Sequence, residues 1–324
     1  MPLNIEPILR LLETPRVTDV LINGNSSCFV DCGTGLKRVE VPYVDEAQVA
    51  ETARWMIAQA DRHLDFANPI ADCVVSGAQL SLAGATVLAG NSNFRVHAVL
   101  ASASSPNTLL SIRRHQPQIV GIEGFVGDRL ELSVWLRQLV ERRENFLVSG
   151  ATGAGKTTLL GGLMSLARGQ RVIAVEEVSE ISCGNGHFIS LQCRQANTEG
   201  RGEISLERLV REALRMRPDR LLMGEIRGPE LLTFFSALNT GHRGAGGTIH
   251  ANNAAAVANR LATIGLQSGW SSRAVAASAA EAIDWVVHVE RRGSDRLITE
   301  VSSLVLNRRG ALDVVPCAEL EGLL

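Results

Sequence analysis

The nine residues GATGAGKTT, Gly150 to Thr158, constrain the fold of this chain more than any other stretch. They match the pattern GxxxxGK[ST], follow the apolar run NFLVS and precede the helical pattern KTTLLGGLMSLA. A glycine-rich loop between a strand and a helix wraps backbone N–H groups around phosphate oxygens, and the helix points its positive dipole end at them. The sequence therefore predicts a binding site for ATP or GTP.

The side chains of this loop have separate predicted roles. Lys156 supplies a positive charge to the outer phosphates, and the hydroxyl of Thr157 is a ligand for Mg²⁺. The residues predicted to contact the nucleotide are Gly150, Ala151, Thr152, Gly153, Ala154, Gly155, Lys156, Thr157 and Thr158.

The spacing of apolar residues changes along the chain, and this change predicts two domains. Residues 1–115 mix strand and helix patterns, which is typical of a small α+β domain. Residues 116–130 have no sustained period and are interpreted as a linker. From 131 to 324 strands alternate with helices, which indicates a parallel sheet covered by helices.

Two acidic segments follow apolar strands of this second domain. Glu225 ends the strand RLLMGE, and because ligands of parallel sheets bind at the carboxyl ends of strands, it is the candidate for polarising an attacking water. The strand RVIAVEE leads into Glu176, Glu177 and Glu180. Glu177 is favoured as a residue that supports the metal, whereas the part played by Glu176 and Glu180 stays open.

Composition and charge narrow the classes of function. A formal net charge of -2 over 324 residues argues against broad binding to nucleic acid, which normally needs an excess of basic residues. The six cysteines form no CxxC pair, so reduced thiols are expected rather than a zinc site. Neither a signal peptide nor an apolar run of ~20 residues that could span a bilayer is expected.

Taken together, four segments resemble the bacterial secretion ATPase superfamily of type II and type IV secretion, type IV pili and conjugation. The segments are GATGAGKTT, VIAVEEVSEI, RMRPDRLLMGEIRG and GTIHANN, and the text between them is most similar to the Tad/Flp-pilus branch and its conjugative relatives. The resemblance covers about residues 10–290. It implies an α/β fold in which a RecA-like P-loop ATPase domain follows a smaller α+β, PAS-like domain.

The same resemblance assigns roles to further residues. His250 would sense or position the nucleotide-bound state, Arg95 and Arg113 would reach the phosphates from the first domain, and Arg194 would lie near the nucleotide or a subunit boundary. Glu225 becomes the catalytic carboxylate. The acidic segment is all Glu where many relatives carry an Asp, and the loop GHRGAGG departs from the usual pattern before the histidine.

The resemblance implies an ATPase that uses ATP and Mg²⁺, forms a homo-oligomer, expected to be a hexamer, and powers pilus assembly or protein secretion. Its expected partner is an inner-membrane platform protein, and its expected place is the cytoplasm at the inner face of the membrane. Two alternatives stay open: a conjugative motor that acts with nucleic acid, and a nucleotide-gated scaffold with little turnover.

Overall fold

The computed structural model describes residues 5–14, 17–33, 35–40, 43–82, 93–102, 105–115, 119–194, 201–293 and 295–322. The chain divides into two compact units with separate hydrophobic cores. Unit 1 comprises Met1–Pro117 and Ala196–Gly202, and unit 2 comprises Gln118–Gln195 and Glu203–Leu324. A strand predicted in ATVLAG, residues 85–90, lies outside the described residues.

Unit 1 is an antiparallel sheet with helices. Its strands follow the order β3-β2-β1-β6-β5-β4, and every pair is antiparallel. The elements are α1 (Glu6–Glu13), β1 (Asp19–Asn23), β2 (Ser27–Asp31), β3 (Leu36–Val39), α2 (Glu46–Ala58), β4 (Ile70–Ser76), α3 (Gly77–Leu82), β5 (Asn93–Val99) and β6 (Leu109–His115).

Local sequence explains these elements. In β5 the side chains of Phe94, Val96 and Ala98 are buried while the residues between them face outwards, as expected for a strand with one covered face. Asp45 caps α2 by accepting the N–H of Gln48, as is typical of an Asp directly before a helix.

Unit 2 is an eight-stranded sheet with the order β14-β13-β12-β7-β11-β10-β8-β9. Its elements are α4 (Glu123–Val126), α5 (Leu130–Glu141), β7 (Phe146–Gly150), α6 (Lys156–Ser165), β8 (Val172–Glu176), β9 (Phe188–Gln192), α7 (Leu206–Arg215), β10 (Arg220–Met223), α8 (Glu230–Asn239), β11 (Gly246–His250), α9 (Ala256–Gln267), α10 (Ser272–Ala282), β12 (Trp285–Arg292), β13 (Asp295–Leu306), β14 (Leu312–Pro316) and a 3-10 helix (Ala318–Leu320).

The sheet of unit 2 is parallel only in part. The six strands from β9 to β12 pair in parallel, as the strand–helix alternation predicts. The strands β13 and β14 run antiparallel, because short hairpins join β12 to β13 and β13 to β14 where a parallel pair would need a crossover. The buried strands β7, β8 and β10 bring their carboxyl ends to one edge of the sheet.

The segment predicted as a linker is structured over its described part. Residues 119–130 lie in unit 2, and α4 buries Phe125 and Val126 in the core. This helix has four residues, which is too short to show a helical period in the sequence. The domain boundaries at residues 115 and 131 stay predictions. None of the described helices is long and apolar enough to cross a membrane.

Candidate functional site

The glycine-rich loop follows the central strand β7, which is buried along its length and pairs in parallel with β11 and β12. Gly150 ends this strand where a Cβ atom would collide with the backbone oxygen of Val289, so the chain needs a glycine there. Gly155, with φ of 97°, precedes α6 and has no side chain to cap it. The first N–H groups of α6 therefore face no competing cap, which suits a phosphate.

Lys156 is held inside this loop. Its side chain is 7% exposed, and its Nζ atom donates to the backbone oxygen of Ala151 over 2.9 Å. Burial lowers the pKa of Lys156, while the charges of Glu225 and Glu180 act in the opposite direction. The loop thus keeps a partly desolvated cation beside the start of α6, where it would gain most from a bound anion.

His250 connects Lys156 to Glu225. It is the last residue of β11, its Nδ1 atom lies 3.4 Å from Nζ of Lys156, and its Nε2 atom lies 3.6 Å from Oε1 of Glu225. Burial and the charge of Lys156 lower the pKa of His250, although Glu225 raises it. Because an ammonium group can only donate, Nδ1 accepts and the imidazole proton lies on Nε2, towards the carboxylate. The strand β11 pairs in parallel with β10, the strand that leads to Glu225.

Glu225 is positioned by β11, the strand that also carries His250. The N–H of Ile226 donates to the backbone oxygen of Thr248 over 2.8 Å, and the hydroxyl of Thr248 donates to the backbone oxygen of Gly224. The backbone is thus fixed on both sides of Glu225, while its side chain stays 39% exposed. A carboxylate held in this way can accept a proton from a water molecule at the edge of the sheet.

The acidic segment after β8 separates into residues of different function. Glu176 is buried, and its carboxylate accepts the N–H groups of Glu180 and Ile181 at 2.9 and 2.8 Å and the hydroxyl of Ser190 at 2.9 Å. Burial raises the pKa of Glu176 against these hydrogen bonds. Both of its oxygens are therefore used to hold the loop after β8, which identifies Glu176 as a structural residue.

Glu177 and Glu180 lie at the surface of the same loop. Glu177 forms an ion pair with Arg227, two residues after Glu225. Glu180 is close enough to Lys156 to raise the pKa of its ammonium group. The sequence favoured Glu177 as a residue that supports the metal and left the role of Glu180 undecided. In the structure Glu177 pairs with Arg227, whereas the charge of Glu180 acts on Lys156.

A buried pair beneath the loop has no sequence motif. Ser149 of β7 and His288 of β12 face each other in register, and the Ser149 Oγ and His288 Nδ1 atoms lie 2.8 Å apart. Burial lowers the pKa of His288, while Glu300 and Glu290 raise it. Only the pairing of β12 with β7 reveals this contact, and the sequence alone does not show that pairing.

The glycines before His250 have a packing reason. Gly244, with φ of 82°, lies where a Cβ atom would collide with Nη1 of the buried Arg220. A Cβ atom on Gly246 would lie 2.7 Å from Cδ1 of Leu160. Arg220 itself donates to the backbone oxygens of Gly244 and Val140 at 3.1 and 2.6 Å. Close packing therefore accounts for Gly244 and Gly246.

The three arginines that the resemblance singles out are all exposed. Arg194 is exposed in unit 2, and its backbone pairs with Ile204. In unit 1, Arg95 and Arg113 are directly opposite each other on β5 and β6. Arg95 contacts Asp72 at 3.0 Å, and Arg113 lies 3.5 Å from Asp19. The two guanidinium groups thus share one exposed face of the unit 1 sheet.

The array at the loop fits a nucleoside triphosphate with Mg²⁺. The uncapped start of α6 and the buried Lys156 suit the phosphates, and the Thr157 hydroxyl is the kind of oxygen ligand that Mg²⁺ accepts. No group of three His, Cys, Asp or Glu side chains among the described residues could hold a metal by itself.

Comparison with known proteins gives a consistent result. The model of the family described as "Type II/IV secretion system protein" matches residues 3–295. A putative conjugal transfer protein of Mycobacterium tuberculosis is 36% identical over 299 residues, which are 91% of this chain and 82% of that protein. A type IV secretion system protein, VirB11 of Bartonella henselae, is 22% identical over 79% of this chain and 78% of its own.

Two solved structures share the fold. The pilus retraction motor PilT with bound ADP gives a TM-score of 0.65 at 18% identity, covering 99% of this chain and 86% of that chain. The ATPase DotB of Legionella pneumophila gives 0.62 at 16% identity, covering 98% and 81%. The predicted fold class, a RecA-like P-loop domain with a smaller α+β domain, is confirmed.

Proposed function

Since this chain belongs to the type II/IV secretion system protein family, we propose that it is an ATP-hydrolysing motor that powers secretion or pilus assembly. The observation that carries the proposal is the array in unit 2 that joins Lys156 through His250 to Glu225, at the mouth of the glycine-rich loop. It combines a phosphate-binding cation, a sensor and a carboxylate base within two consecutive contacts of 3.4 and 3.6 Å.

In the proposed reaction a water molecule attacks the γ-phosphorus of ATP. Glu225 accepts the water proton, the bond between the γ-phosphorus and the β–γ bridging oxygen breaks, and ADP leaves with the charge of that oxygen. Lys156 stabilises the charge that develops on the phosphate oxygens, and His250 orients Glu225. Mg²⁺, held by Thr157 and supported by Glu177, would supply further neutralisation of the phosphates.

The proposal extends to the partners of the motor. Arg95 and Arg113 act on nucleotide phosphates in the same chain or in a neighbouring copy, and Arg194 lies near a nucleotide or a subunit boundary. Guanidinium groups suit this task because they spread positive charge over several oxygens. The motor works as a ring, taken to be a hexamer, in the cytoplasm against a platform protein at the inner membrane.

The first test compares phosphate release from Mg·ATP by the full chain and by Lys156→Ala. Lys37 is the only other lysine of the chain and is exposed on β3, so Lys37→Ala is the matched control. We expect release by the wild type and by Lys37→Ala and none by Lys156→Ala. Equal release by wild type and Lys156→Ala would refute the assignment of the site. A wild-type ring that binds ATP without releasing phosphate, even with a platform protein, would favour the scaffold alternative.

A second candidate function is a conjugative motor that acts with DNA. The name of the Mycobacterium tuberculosis relative, a putative conjugal transfer protein, supports it, whereas the net charge of -2 argues for protein cargo such as a Tad/Flp pilin. Turnover with and without DNA separates the two. A conjugative motor predicts stimulation that falls steeply as salt rises, because phosphate contacts release counterions. A pilus motor predicts no change.

A further inference from the structure

One arginine outside every motif lies against the glycine-rich loop. A Cβ atom built on Gly155 would lie 2.8 Å from Cδ of Arg296 and 3.0 Å from Cε1 of Phe125. Arg296 belongs to β13 and is exposed, whereas Phe125 of α4 is buried. These two side chains form the wall of the loop at the residue directly before Lys156, and Arg296 is the polar part of that wall.

The wall formed by Phe125 is fixed in place. Arg129 donates to the backbone oxygens of Val126 and Ile298 at 2.8 Å each and to that of Phe125 at 3.2 Å. These bonds join α4 to β13, the strand that carries Arg296. The position of Arg296 beside Gly155 therefore rests on backbone contacts of two ordered elements.

The order of strands indicates which end of a nucleotide Arg296 faces. The strands β11 and β10, which lead to His250 and Glu225, lie on one side of β7, while β12 and β13 lie on the other. Lys156 approaches His250, so the terminal phosphates belong on the β11 side. The α-phosphate and the ribose then lie on the β13 side, next to Arg296.

A second arginine accompanies Arg296. Arg291 of β12 is directly opposite Arg296 in the antiparallel register, so both side chains point to the same face of the hairpin. Two like charges in this arrangement repel each other and destabilise the hairpin. Arg291 turns to the tip of the hairpin, where its Nε donates to the backbone oxygen of Gly293 over 3.0 Å. A bound anion would offset the repulsion at this face.

We propose that Arg296 binds the α-phosphate and ribose end of the nucleotide, as an affinity residue distinct from the machinery that cleaves the γ-phosphate. This inference rests on the proposed function, because it assumes that the loop binds a nucleoside triphosphate. Its chemistry is a charge-assisted hydrogen bond from a guanidinium group to phosphate oxygens. ADP and ATP share the α-phosphate and ribose, so Arg296 serves both.

The test measures the Kd of the full chain for ADP, for ATP and for inorganic pyrophosphate, which lacks the α-phosphate–ribose end. We expect Arg296→Ala to weaken ADP and ATP binding about tenfold each, the loss of one such hydrogen bond, and to leave pyrophosphate binding unchanged. The kcat at saturating ATP should stay within about twofold, since the transition-state contacts are elsewhere.

Arg292→Ala is the matched control. Arg292 lies on the same hairpin but points to the opposite face, where it contacts Glu290 at 3.2 Å. It should leave the Kd for all three ligands unchanged. Unchanged ADP affinity in Arg296→Ala, equal losses in Arg292→Ala, or equal losses for pyrophosphate would each overturn the inference. Failure of the proposed function is recognised separately: the wild type would then either bind none of the three ligands or bind ATP without releasing phosphate.

Discussion

The imidazole of His250 lies between a cation and a carboxylate, 3.4 Å from Nζ of Lys156 and 3.6 Å from Oε1 of Glu225. A bound γ-phosphate would draw Lys156 away from the backbone oxygen of Ala151 that it now contacts. Any such shift changes the contact on Nδ1 of His250 and, through Nε2, the position of the carboxylate. Under the proposed mechanism, the array would couple phosphate binding to the orientation of Glu225.

Replacing His250 tests this coupling. We expect His250→Ala to lower kcat about 10- to 100-fold, because Glu225 loses the imidazole beside it, and to change the Kd for ATP much less. Steady-state turnover and equilibrium binding measure the two effects. His63→Ala, in an exposed segment of unit 1, is the control. Unchanged turnover and affinity in His250→Ala would assign His250 a structural role alone.

The charge of Lys156 should lower the stability of the nucleotide-free protein while it serves ATP binding. Burial lowers its pKa, which means that the folded protein holds the charged form at a cost. Methionine has a similar length and no charge, so Lys156→Met should raise the free energy of unfolding of the nucleotide-free protein by about 1 kcal/mol while it abolishes ATP binding. Urea unfolding of wild type, Lys156→Met and Lys37→Met measures this. A less stable Lys156→Met would show that the loop gains stability from the charge.

Replacing Glu176 should lower stability, whereas replacing Glu177 should lower turnover. Glu176→Ala leaves the N–H groups of Glu180 and Ile181 without an acceptor and should cost about 2–4 kcal/mol of stability. Glu177→Ala removes only an exposed ion pair, so stability should change by less than about 1 kcal/mol, while turnover falls if Glu177 supports the metal. Thermal unfolding measures the stability of both variants, and ATPase assays measure their turnover. The reverse pattern would exchange the two roles.

The stability of unit 2 should depend on pH through His288. Its folded pKa is below the usual 6.5, so below pH 6.5 the unfolded state binds a proton that the folded state excludes. Stability should therefore fall as pH drops from 6.5 towards the folded pKa, by up to about 1.4 kcal/mol per pH unit from this residue.

The variant His288→Asn isolates this contribution. The raised pKa of Glu176 acts with the opposite sign above pH 4.5, but it is common to both proteins and cancels in the difference. Urea unfolding at pH 8 and at pH 5.5 should show a deficit of the variant that shrinks at the lower pH. A deficit that is the same at both values contradicts a buried, neutral His288.

Sequence reasoning succeeded where a local pattern dictates the structure. The glycine-rich loop and the strand before Glu225 were predicted because each is marked by an apolar run in the sequence. Their carboxyl ends necessarily meet at one edge once the strands are parallel. The division of labour between Glu176 and Glu177 could not be predicted, because it depends on the backbone of Ile181 and on Ser190 of the next strand.

Other features were missed because they depend on pairing between distant segments. His288 and Arg296 enter the site only since β12 lies beside β7 and β13 beside β12. Neither β3 nor α3 was predicted: β3 is four residues long with exposed side chains at three of them, and α3 has six residues. Elements this short carry too little periodicity to be detected.

The fate of ATP on Glu225→Gln tests the central claim most directly. Glutamine keeps the size of the side chain but cannot accept the water proton, so bound ATP should stay intact while its Kd stays near that of the wild type. A single-turnover experiment with excess enzyme and γ-labelled ATP measures it. The account predicts a phosphate release rate at least about 100-fold below the wild type. Release at the wild-type rate would contradict Glu225 as the catalytic base.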